Sequence, residues 1–196
     1  MIDLFLQDVS NVRIDAWGGS IENRSRFGPE VTRAVVDAIG AERTAIRLSP
    51  FSEYQGMKMK DPIRPFTYFI EERKKMNLAY LHLIEARISG NIDIDHADEK
   101  LDVFINLWGN KSPVSTAGGY REESAFRAVD QEYKESDVAI VFGRLFITNP
   151  DLVFRVKNNL ELTHFERNKF YNVGEEDGYT TWPFSKEFEA VAMASS

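Results

Sequence analysis

Four short apolar runs recur along the chain, and each is followed by a segment with helical features. The runs cover residues 44–48, 78–84, 113–117 and 138–142. Strands that alternate with helices in this way indicate βαβ units and therefore a parallel sheet. We predict that the four strands are adjacent and parallel in chain order, with the helices outside. The pattern fits four units of a (β/α) barrel and also a small doubly wound sheet, and periodicity does not separate the two.

Helices are predicted between and after these strands. The first begins after Ser20, a good N-cap, and ends before Gly40, with a kink or restart at Gly28-Pro29. The others are predicted at residues 62–76, from residue 98 to about 108, at 122–133 and at 149–156. Residues 1–19 are predicted to form a loop, and residues 160–196 an aromatic-rich, irregular tail. No linker or low-complexity segment interrupts the pattern, so residues 1–196 are predicted to form a single domain.

Charge and composition narrow the class of protein. The 196 residues carry a net charge of −7, which argues against a nucleic-acid partner because phosphate backbones demand a basic surface. The lack of cysteine excludes disulfides and thiolate metal sites, and the three histidines have no metal-ligand spacing. No stretch is apolar enough to span a membrane, and the acidic start MIDLFLQDV is not typical of a secretory signal. A cytoplasmic protein is the default prediction.

Glycines stand where the third and fourth apolar runs end. Gly118 and Gly119 follow the third run, and Gly143 and Arg144 follow the fourth. A glycine at a strand end lets the backbone approach a ligand closely, and an arginine offers a planar fork of donors to a phosphate. In (β/α)8 barrels, a phosphate site commonly forms from the loops after strands seven and eight. The alternative is that these glycines only make tight turns, but the paired strand ends and Arg144 favour a phosphate-bearing cofactor.

Two polar residues lie within the apolar runs. Arg47 occupies the end of the first run, and a charge in a buried strand is costly unless it is paired. Arg47 either pairs with outer helices or points from the carboxyl end of the strand toward an anionic group. His82 lies inside the second run, and a lone histidine on a strand is more often a satisfied core residue than a base. His96 and His164 are predicted to be incidental.

Several motifs resemble those of a known family in order and spacing. They are DAWGGSIENRSRF at 15–27, IRLSPF at 46–51, AYLHLIEARIS at 79–89, PVSTAGGY at 113–120, VAIVFGRLFITNPDL at 138–152 and GYTTWPF at 178–184. Together these segments resemble the Old Yellow Enzyme family of FMN-dependent ene-reductases, and the fungal branch is the most similar. The resemblance implies a TIM-type (β/α)8 barrel of roughly twice this length. The chain resembles the C-terminal half of that barrel, strands five to eight.

The resemblance also implies roles for individual residues. Arg47 matches the arginine that contacts the flavin ring and offsets negative charge on its reduced form. Gly118 and Gly119 match the phosphate loop after strand seven. Gly143 and Arg144 match the phosphate grip after strand eight. Tyr179 matches an aromatic residue beside the substrate pocket, and residues 88–97 match a mobile loop over the active site.

The reaction implied is reduction of the C=C bond of an α,β-unsaturated carbonyl compound, an enone or enal, by NADPH through FMN. MIDLF at 1–5 matches the segment that follows the family's catalytic stretch. The carbonyl-binding His and Asn and the proton-donating Tyr are therefore expected before Met1, so the chain alone is expected to be inactive. The alternatives are a non-catalytic truncated paralogue, a half-barrel binding or assembly module, and a domain that binds a phosphate sugar or a nucleotide.

A half barrel implies incomplete burial. Two strand edges, at 44–48 and 138–142, are expected to be free, and one apolar interior wall is expected to be exposed. Free edges recruit strands and apolar patches drive association. The chain is therefore expected to self-associate or to pair with an N-terminal half barrel.

Overall fold

The structure is a computed structural model that describes residues 1–89, 92–94 and 98–194. The chain divides into two compact units, Met1–Val141 and Phe142–Ser196, and each is described by itself. His96 and several other positions of the predicted loop 88–97 lie outside the described residues.

A parallel four-stranded sheet organises the first unit. Its strands are β1 (Ala45–Leu48), β2 (Tyr80–Ile84), β5 (Val114–Ala117) and β6 (Val138–Val141), and a short antiparallel hairpin, β3 (Ile88–Ser89) and β4 (Ile92–Asp93), follows β2. The sheet order is β1-β2-β5-β6, and all three pairings are parallel. The predicted strand positions, order and direction are confirmed. Within the described residues, β1 and β6 are the edge strands.

Helices connect the strands of the first unit. They are α1 (Ile2–Leu6), α2 (Ile21–Ser25), α3 (Phe27–Ile39), α4 (Ile63–Lys74), α5 (Asp102–Trp108) and α6 (Glu122–Arg127), and a π-helical turn at Ala128–Glu132 extends α6. The Ser20 hydroxyl accepts a hydrogen bond from the backbone N–H of Asn23 at 3.2 Å, as its predicted capping role requires. The break between α2 and α3 falls at Arg26, two residues before the predicted restart at Gly28-Pro29, which lie in the first turn of α3. Gly40, with φ of 93°, ends α3 as predicted.

The loop predicted for residues 1–19 is wrong at its start, where α1 forms. A helix of five residues is too short for an apolar period to reveal, and it depends on tertiary contacts for its stability. Those contacts are present, because Leu6 is fully buried and the Gln7 amide oxygen accepts the backbone N–H groups of Lys58 and Met59 at 2.8 and 3.0 Å.

The two faces of the sheet differ in composition. The buried face carries Leu48, Leu81, Leu83, Val114 and Thr116, all inaccessible or nearly so. The open face carries one residue from each strand in register, namely Arg47, His82, Ser115 and Ala139. Arg47 and Ala139 are exposed and the other two are half-buried. The expected apolar interior wall is therefore wrong for this row, which is polar or small, whereas the next row on the same face, Ile84, Ala117 and Val141, is apolar.

The second unit is mostly helical where it is regular. It contains α7 (Arg144–Thr148), α8 (Leu152–Lys157), a 3₁₀ turn at Arg167–Lys169 and α9 (Lys186–Ala194). The helix predicted at 149–156 corresponds to α8, which begins three residues later and ends at Lys157, and α7 was not predicted. The irregular tail predicted at 160–196 is wrong at α9, whose first turn is capped by the Ser185 hydroxyl, the acceptor for the N–H of Phe188 at 3.3 Å.

A buried polar network holds the second unit together. Arg155 Nε donates to Asp151 Oδ1 at 2.8 Å, and Asp151 Oδ2 accepts the backbone N–H of Ser185 at 3.0 Å. Burial raises the pKa of Asp151, but the hydrogen bonds from Ser185 and Arg155 outweigh that effect and lower it to about 2. Across the described ranges of both units, no helix is long and apolar enough to cross a bilayer.

Candidate functional site

The carboxyl ends of parallel strands meet at one edge of a sheet, and most predicted site residues of the first unit lie there. Arg47 occupies the third position of β1, exposed on the open face, and its register partner on β2 is His82. The two neighbours of Arg47 in β1, Ile46 and Leu48, are buried on the opposite face. The arginine therefore lies on the face opposite the core, and its role toward an anionic ligand stays a prediction.

His82 is not the satisfied core residue that the sequence suggested. Its side chain is half-buried, and its Nε2 atom is inaccessible and has no hydrogen-bond partner among the described residues. Burial lowers the pKa of His82, and the nearby positive charge of Arg47 lowers it further. The imidazole is thus held neutral beside Arg47 at neutral pH.

The turn after β5 presents free backbone donors. Gly118 has φ of 132° and Gly119 has φ of 67°, values that residues with a side chain rarely adopt. Within the described part of the chain, neither backbone N–H donates a hydrogen bond to another protein group. Consecutive N–H groups in such a turn form a concave site for an anion.

Three residues around this turn were not predicted as site residues. The Tyr120 hydroxyl donates to Glu85 Oε1 at 2.6 Å, and Arg87 Nε donates to the Gly118 carbonyl oxygen at 2.6 Å. The guanidinium carbon of Arg87 lies 4.3 Å from the centroid of the Tyr120 ring. The signal that could have identified them is a pair of charged residues placed directly after an apolar strand.

Burial shifts the pKa values of Glu85 and Tyr120. It raises the pKa of Glu85, an effect that the hydrogen bond from Tyr120 and the charge of Arg87 partly offset. It also raises the pKa of Tyr120, with a further contribution from the Glu85 charge. The phenol therefore stays protonated and remains a donor to Glu85 throughout the neutral range.

The remaining predicted site residues belong to the second unit. Gly143 has φ of −112°, which any residue adopts, and a Cβ atom there would meet nothing within 4 Å. The guanidinium carbon of Arg144 lies 4.7 Å from the Phe165 ring centroid. Tyr179 is 41% exposed, and its hydroxyl oxygen accepts the backbone N–H of Tyr171.

The structure thus brings Arg47 and the Gly118-Gly119 turn to one edge of one sheet, on the two strands that flank β2. Gly143 follows β6 by two residues, and a shared phosphate grip with Gly118 stays a prediction. Among the described residues, no group of three or more His, Cys, Asp or Glu side chains could hold a metal ion.

An open pocket lies away from the sheet edge in the first unit. Its volume is about 400 Å³, and its lining is largely apolar. The lining residues come from α1, α3 and the loop between α1 and α2, and are Phe5, Arg13, Trp17, Phe27, Glu30, Val31 and Ala34.

Known proteins match the chain in both sequence and structure. The profile of the "NADH:flavin oxidoreductase / NADH oxidase family" matches residues 1–163. The chanoclavine-I aldehyde reductase fgaOx3 of Penicillium roqueforti is 50% identical over 196 residues, which are all of this chain and 53% of that protein. The probable inactive dehydrogenase easA of Claviceps purpurea is 46% identical over 193 residues, which are 96% of this chain and 51% of that protein.

Among solved structures, the old yellow enzyme homologue from Zymomonas mobilis superposes with a TM-score of 0.82 at 35% identity. The match covers 93% of this chain and 50% of that one. The chain spans about half the length of the curated relatives it matches. The predicted fold class, half of a (β/α) barrel with parallel strands and helices, is confirmed.

Proposed function

The chain belongs to the NADH:flavin oxidoreductase / NADH oxidase family, and from this premise we propose that it provides the half of a barrel that binds FMN. The complete barrel would be an FMN-dependent oxidoreductase that uses NADPH to reduce the C=C bond of an α,β-unsaturated carbonyl compound. The carbonyl-binding and proton-donating groups of that reaction would come from the other half of the barrel, since the chain spans about half of its relatives.

The observation that carries the proposal is the Gly118-Gly119 turn. Both residues have positive φ, and both N–H groups are free of protein acceptors within the described residues. Because a phosphate monoester presents acceptor oxygens and no donors, this set of donors fits it. The turn ends a parallel strand at the carboxyl edge of the sheet, where phosphates bind in barrels of this class.

Arg47 would face the flavin ring. It is exposed on the open face, and the neutral His82 beside it adds no competing charge. When bound, FMN supplies hydride transfer between the nicotinamide and the alkene. A fixed cation next to the ring stabilises the anionic reduced form without reorganisation at the moment of reaction.

The second unit would supply further contacts. Gly143 leaves open space where a Cβ would stand, and Arg144 begins α7 directly after it, so we propose them as the other side of the phosphate grip. Tyr179, which is 41% exposed, is proposed to border the substrate pocket. An enal is the favoured substrate class because the relative at 50% identity is named an aldehyde reductase.

The test is a pair of glycine substitutions, one in the turn after β5 and one at the end of α5. Gly119→Ala and Gly109→Ala both place a Cβ on a residue with similar φ, 67° and 60°. The backbone strain is therefore comparable, about 1 kcal/mol each. Of the two glycines, only Gly119 lies in the turn that is proposed to bind the phosphate. We expect FMN binding, measured by quenching of flavin fluorescence, to weaken for Gly119→Ala and to stay unchanged for Gly109→Ala.

Absence of FMN binding by the wild-type chain, both alone and mixed with the N-terminal half of the Penicillium relative, would overturn the proposal. Equal loss in the two variants would show that the effect is on stability alone. Arg144→Ala is expected to weaken FMN binding as well. NADPH oxidation with an enal is expected only from the mixture of halves.

A second candidate function is a non-catalytic half barrel that acts through assembly. The first 17 residues expose Leu4, Val12 and Ile14, and the open pocket beside them is apolar. The sheet also has an edge strand at β1. Such surfaces favour association with a second copy or with an N-terminal half barrel. The relative named a probable inactive dehydrogenase is consistent with loss of catalysis in this group.

Sedimentation and light scattering separate the two candidates. The assembly function predicts a stable dimer or a stable complex with the N-terminal half, and a preparation that stays colourless after FMN is added and free flavin removed. A monodisperse monomer that retains FMN would contradict it.

A further inference from the structure

The Gly118-Gly119 turn packs directly against the chain that leaves β2. The backbone N–H of Glu85 donates to the Ala117 carbonyl oxygen at 2.8 Å. A Cβ built on Gly118 would lie 2.8 Å from Glu85 Cβ and 3.2 Å from the Glu85 backbone nitrogen, so no side chain fits there. Two glycines in sequence are also the most freely rotating pair a chain can contain. Something beyond steric exclusion must therefore select one conformation of this turn.

Arg87 holds the peptide group between the two glycines. Its Nε donates to the Gly118 carbonyl oxygen at 2.6 Å. That carbonyl and the N–H of Gly119 belong to one peptide group, and no peptide bond in the described ranges is cis. In a planar trans peptide the carbonyl and the N–H point in opposite directions. By holding the carbonyl, Arg87 also sets the direction in which the Gly119 N–H points, which is away from the arginine.

Tyr120 and Glu85 hold Arg87 in turn. The Arg87 guanidinium lies over the Tyr120 ring at 4.3 Å from its centroid, an attractive contact between a cation and a ring face. Tyr120 is only 5% exposed, and its hydroxyl is bonded to the Glu85 carboxyl at 2.6 Å. Glu85 is a half-buried carboxyl within Coulombic reach of Arg87. Glu85 and Arg87 thus contact the turn region from the segment after β2, and Tyr120 does so from the residue that directly follows the turn.

We propose that Arg87, Tyr120 and Glu85 are positioning residues that preset the Gly118-Gly119 turn for the phosphate of the cofactor. The inference rests on the proposed function, and it adds that phosphate binding by the turn depends on the side chains of these three residues. A preset turn loses little conformational freedom when the phosphate binds, and this raises affinity. Without Arg87 the glycine pair would have to be ordered during binding.

The test compares FMN with riboflavin, which has the same ring system and lacks the phosphate. Dissociation constants for both are measured by flavin fluorescence on the wild-type chain and on Arg87→Met, which keeps an unbranched apolar chain and removes the donors. We expect FMN affinity to fall roughly 10-fold or more for Arg87→Met, since a charged hydrogen bond and an ordered turn are lost. Riboflavin affinity is expected to stay the same.

Three further variants sharpen the experiment. Arg127→Met removes an exposed arginine from α6, and it is the matched control that should bind FMN as the wild type does. Tyr120→Phe keeps the ring beneath Arg87, removes the hydroxyl that donates to Glu85, and should give a smaller loss of FMN affinity. Arg87→Lys keeps the charge and should restore part of it. In ¹H–¹⁵N spectra, the Gly119 amide should shift with inorganic phosphate in the wild type and respond more weakly in Arg87→Met.

The outcomes are distinct. If the wild type binds neither flavin nor phosphate, the proposed function fails and this inference with it. If the wild type binds FMN and Arg87→Met binds it equally well, the inference is wrong while the proposed function stands. If FMN and riboflavin weaken together, the role of Arg87 is general stability and the inference is again wrong. Should Arg87→Met fail to fold, Arg87→Lys and Tyr120→Phe decide by the same FMN-to-riboflavin comparison.

Discussion

The buried face and the open face of the sheet are built by the same four strands but have opposite character. On the buried face, Leu81 and Leu83 are completely inaccessible. On β2, the residues that alternate with them are Tyr80, 42% exposed, the half-buried His82 and, at the carboxyl end of the strand, the buried Ile84. Successive side chains of a strand point to opposite faces, so a single strand contributes to stability on one side and remains available for ligand contacts on the other.

This difference explains why the apolar runs were misleading on one point. The four apolar runs predicted an apolar interior wall, but in the run at residues 78–84 Tyr80 and His82 have polar tips and occupy the open face. The row across the sheet continues with Arg47, Ser115 and Ala139, where a barrel interior would receive a cofactor. Four variants or pairs of variants test the contrast.

The largest effect is expected from placing the same charge on each face. Leu83→Asp puts a carboxylate in a fully buried site and should cost more than about 4 kcal/mol, because no partner offsets its desolvation. Ala139→Asp, on the exposed row, should cost about 1 kcal/mol or less. Chemical denaturation monitored by tryptophan fluorescence measures both. Equal destabilisation by the two would show that the open face is covered in solution.

Truncating adjacent residues of β2 gives a smaller contrast. Leu81→Ala should lower the free energy of unfolding by about 3 kcal/mol, because it removes buried methyl groups and leaves a cavity. Tyr80→Ala should lower it by about 1 kcal/mol or less. The two denaturation midpoints measure the difference. A loss for Tyr80→Ala as large as that for Leu81→Ala would contradict the assignment of faces.

At the carboxyl edge of the sheet, the burial of Glu85 is expected to make the stability of the fold depend on pH. Burial raises the pKa of Glu85 above its ordinary value of 4.5, so the folded chain binds this proton more tightly than the unfolded chain does. The resulting stabilisation is complete below pH 4.5 and is lost as pH rises through the raised pKa. Glu85→Gln should remove this decline. Thermal melts of both chains across that window measure it, and parallel curves would argue against a buried carboxyl.

The smallest effect is expected at His82 on the open face. Burial and then Arg47 lower its pKa below 6.5, so the unfolded chain binds this proton more tightly. The corresponding stability is present above pH 6.5 and is lost as pH falls through the lowered pKa. His82→Gln should flatten this part of the stability profile, whereas His164→Gln, at an exposed position, serves as the control. NMR titration of the His82 ring checks the direction independently.

Much of the fold was predictable because it depends on local pattern. The four strands follow from apolar runs, and Ser20 and Gly40 follow from the chemistry of helix ends. The elements that were missed are α1, α7 and α9, together with the short hairpin of β3 and β4. They are short, and contacts distant in sequence maintain them, such as those from Gln7 to Lys58 and Met59.

The candidate site likewise contains residues that could be predicted from the sequence and residues that could not. Its glycines could be predicted, since only glycine takes positive φ without strain and Gly118 and Gly119 stand at a strand end. Arg47 could also be predicted, because an isolated charge at the end of an apolar strand requires an explanation. The contacts of Arg87 with Gly118 and Tyr120 could not, because they join residues 31 or more positions apart.

The sequence by itself determined the parallel order of the strands and the position of the glycine turn, since each depends on spacing along the chain and on the conformational limits of single residues. Only the tertiary structure decided which face of each strand is buried and which side chains hold the turn. Burial and the direction of a peptide group depend on neighbours that are close in space and distant in sequence. For that reason Glu85, Arg87 and Tyr120 became recognisable as a group only when β2 and β5 lay side by side.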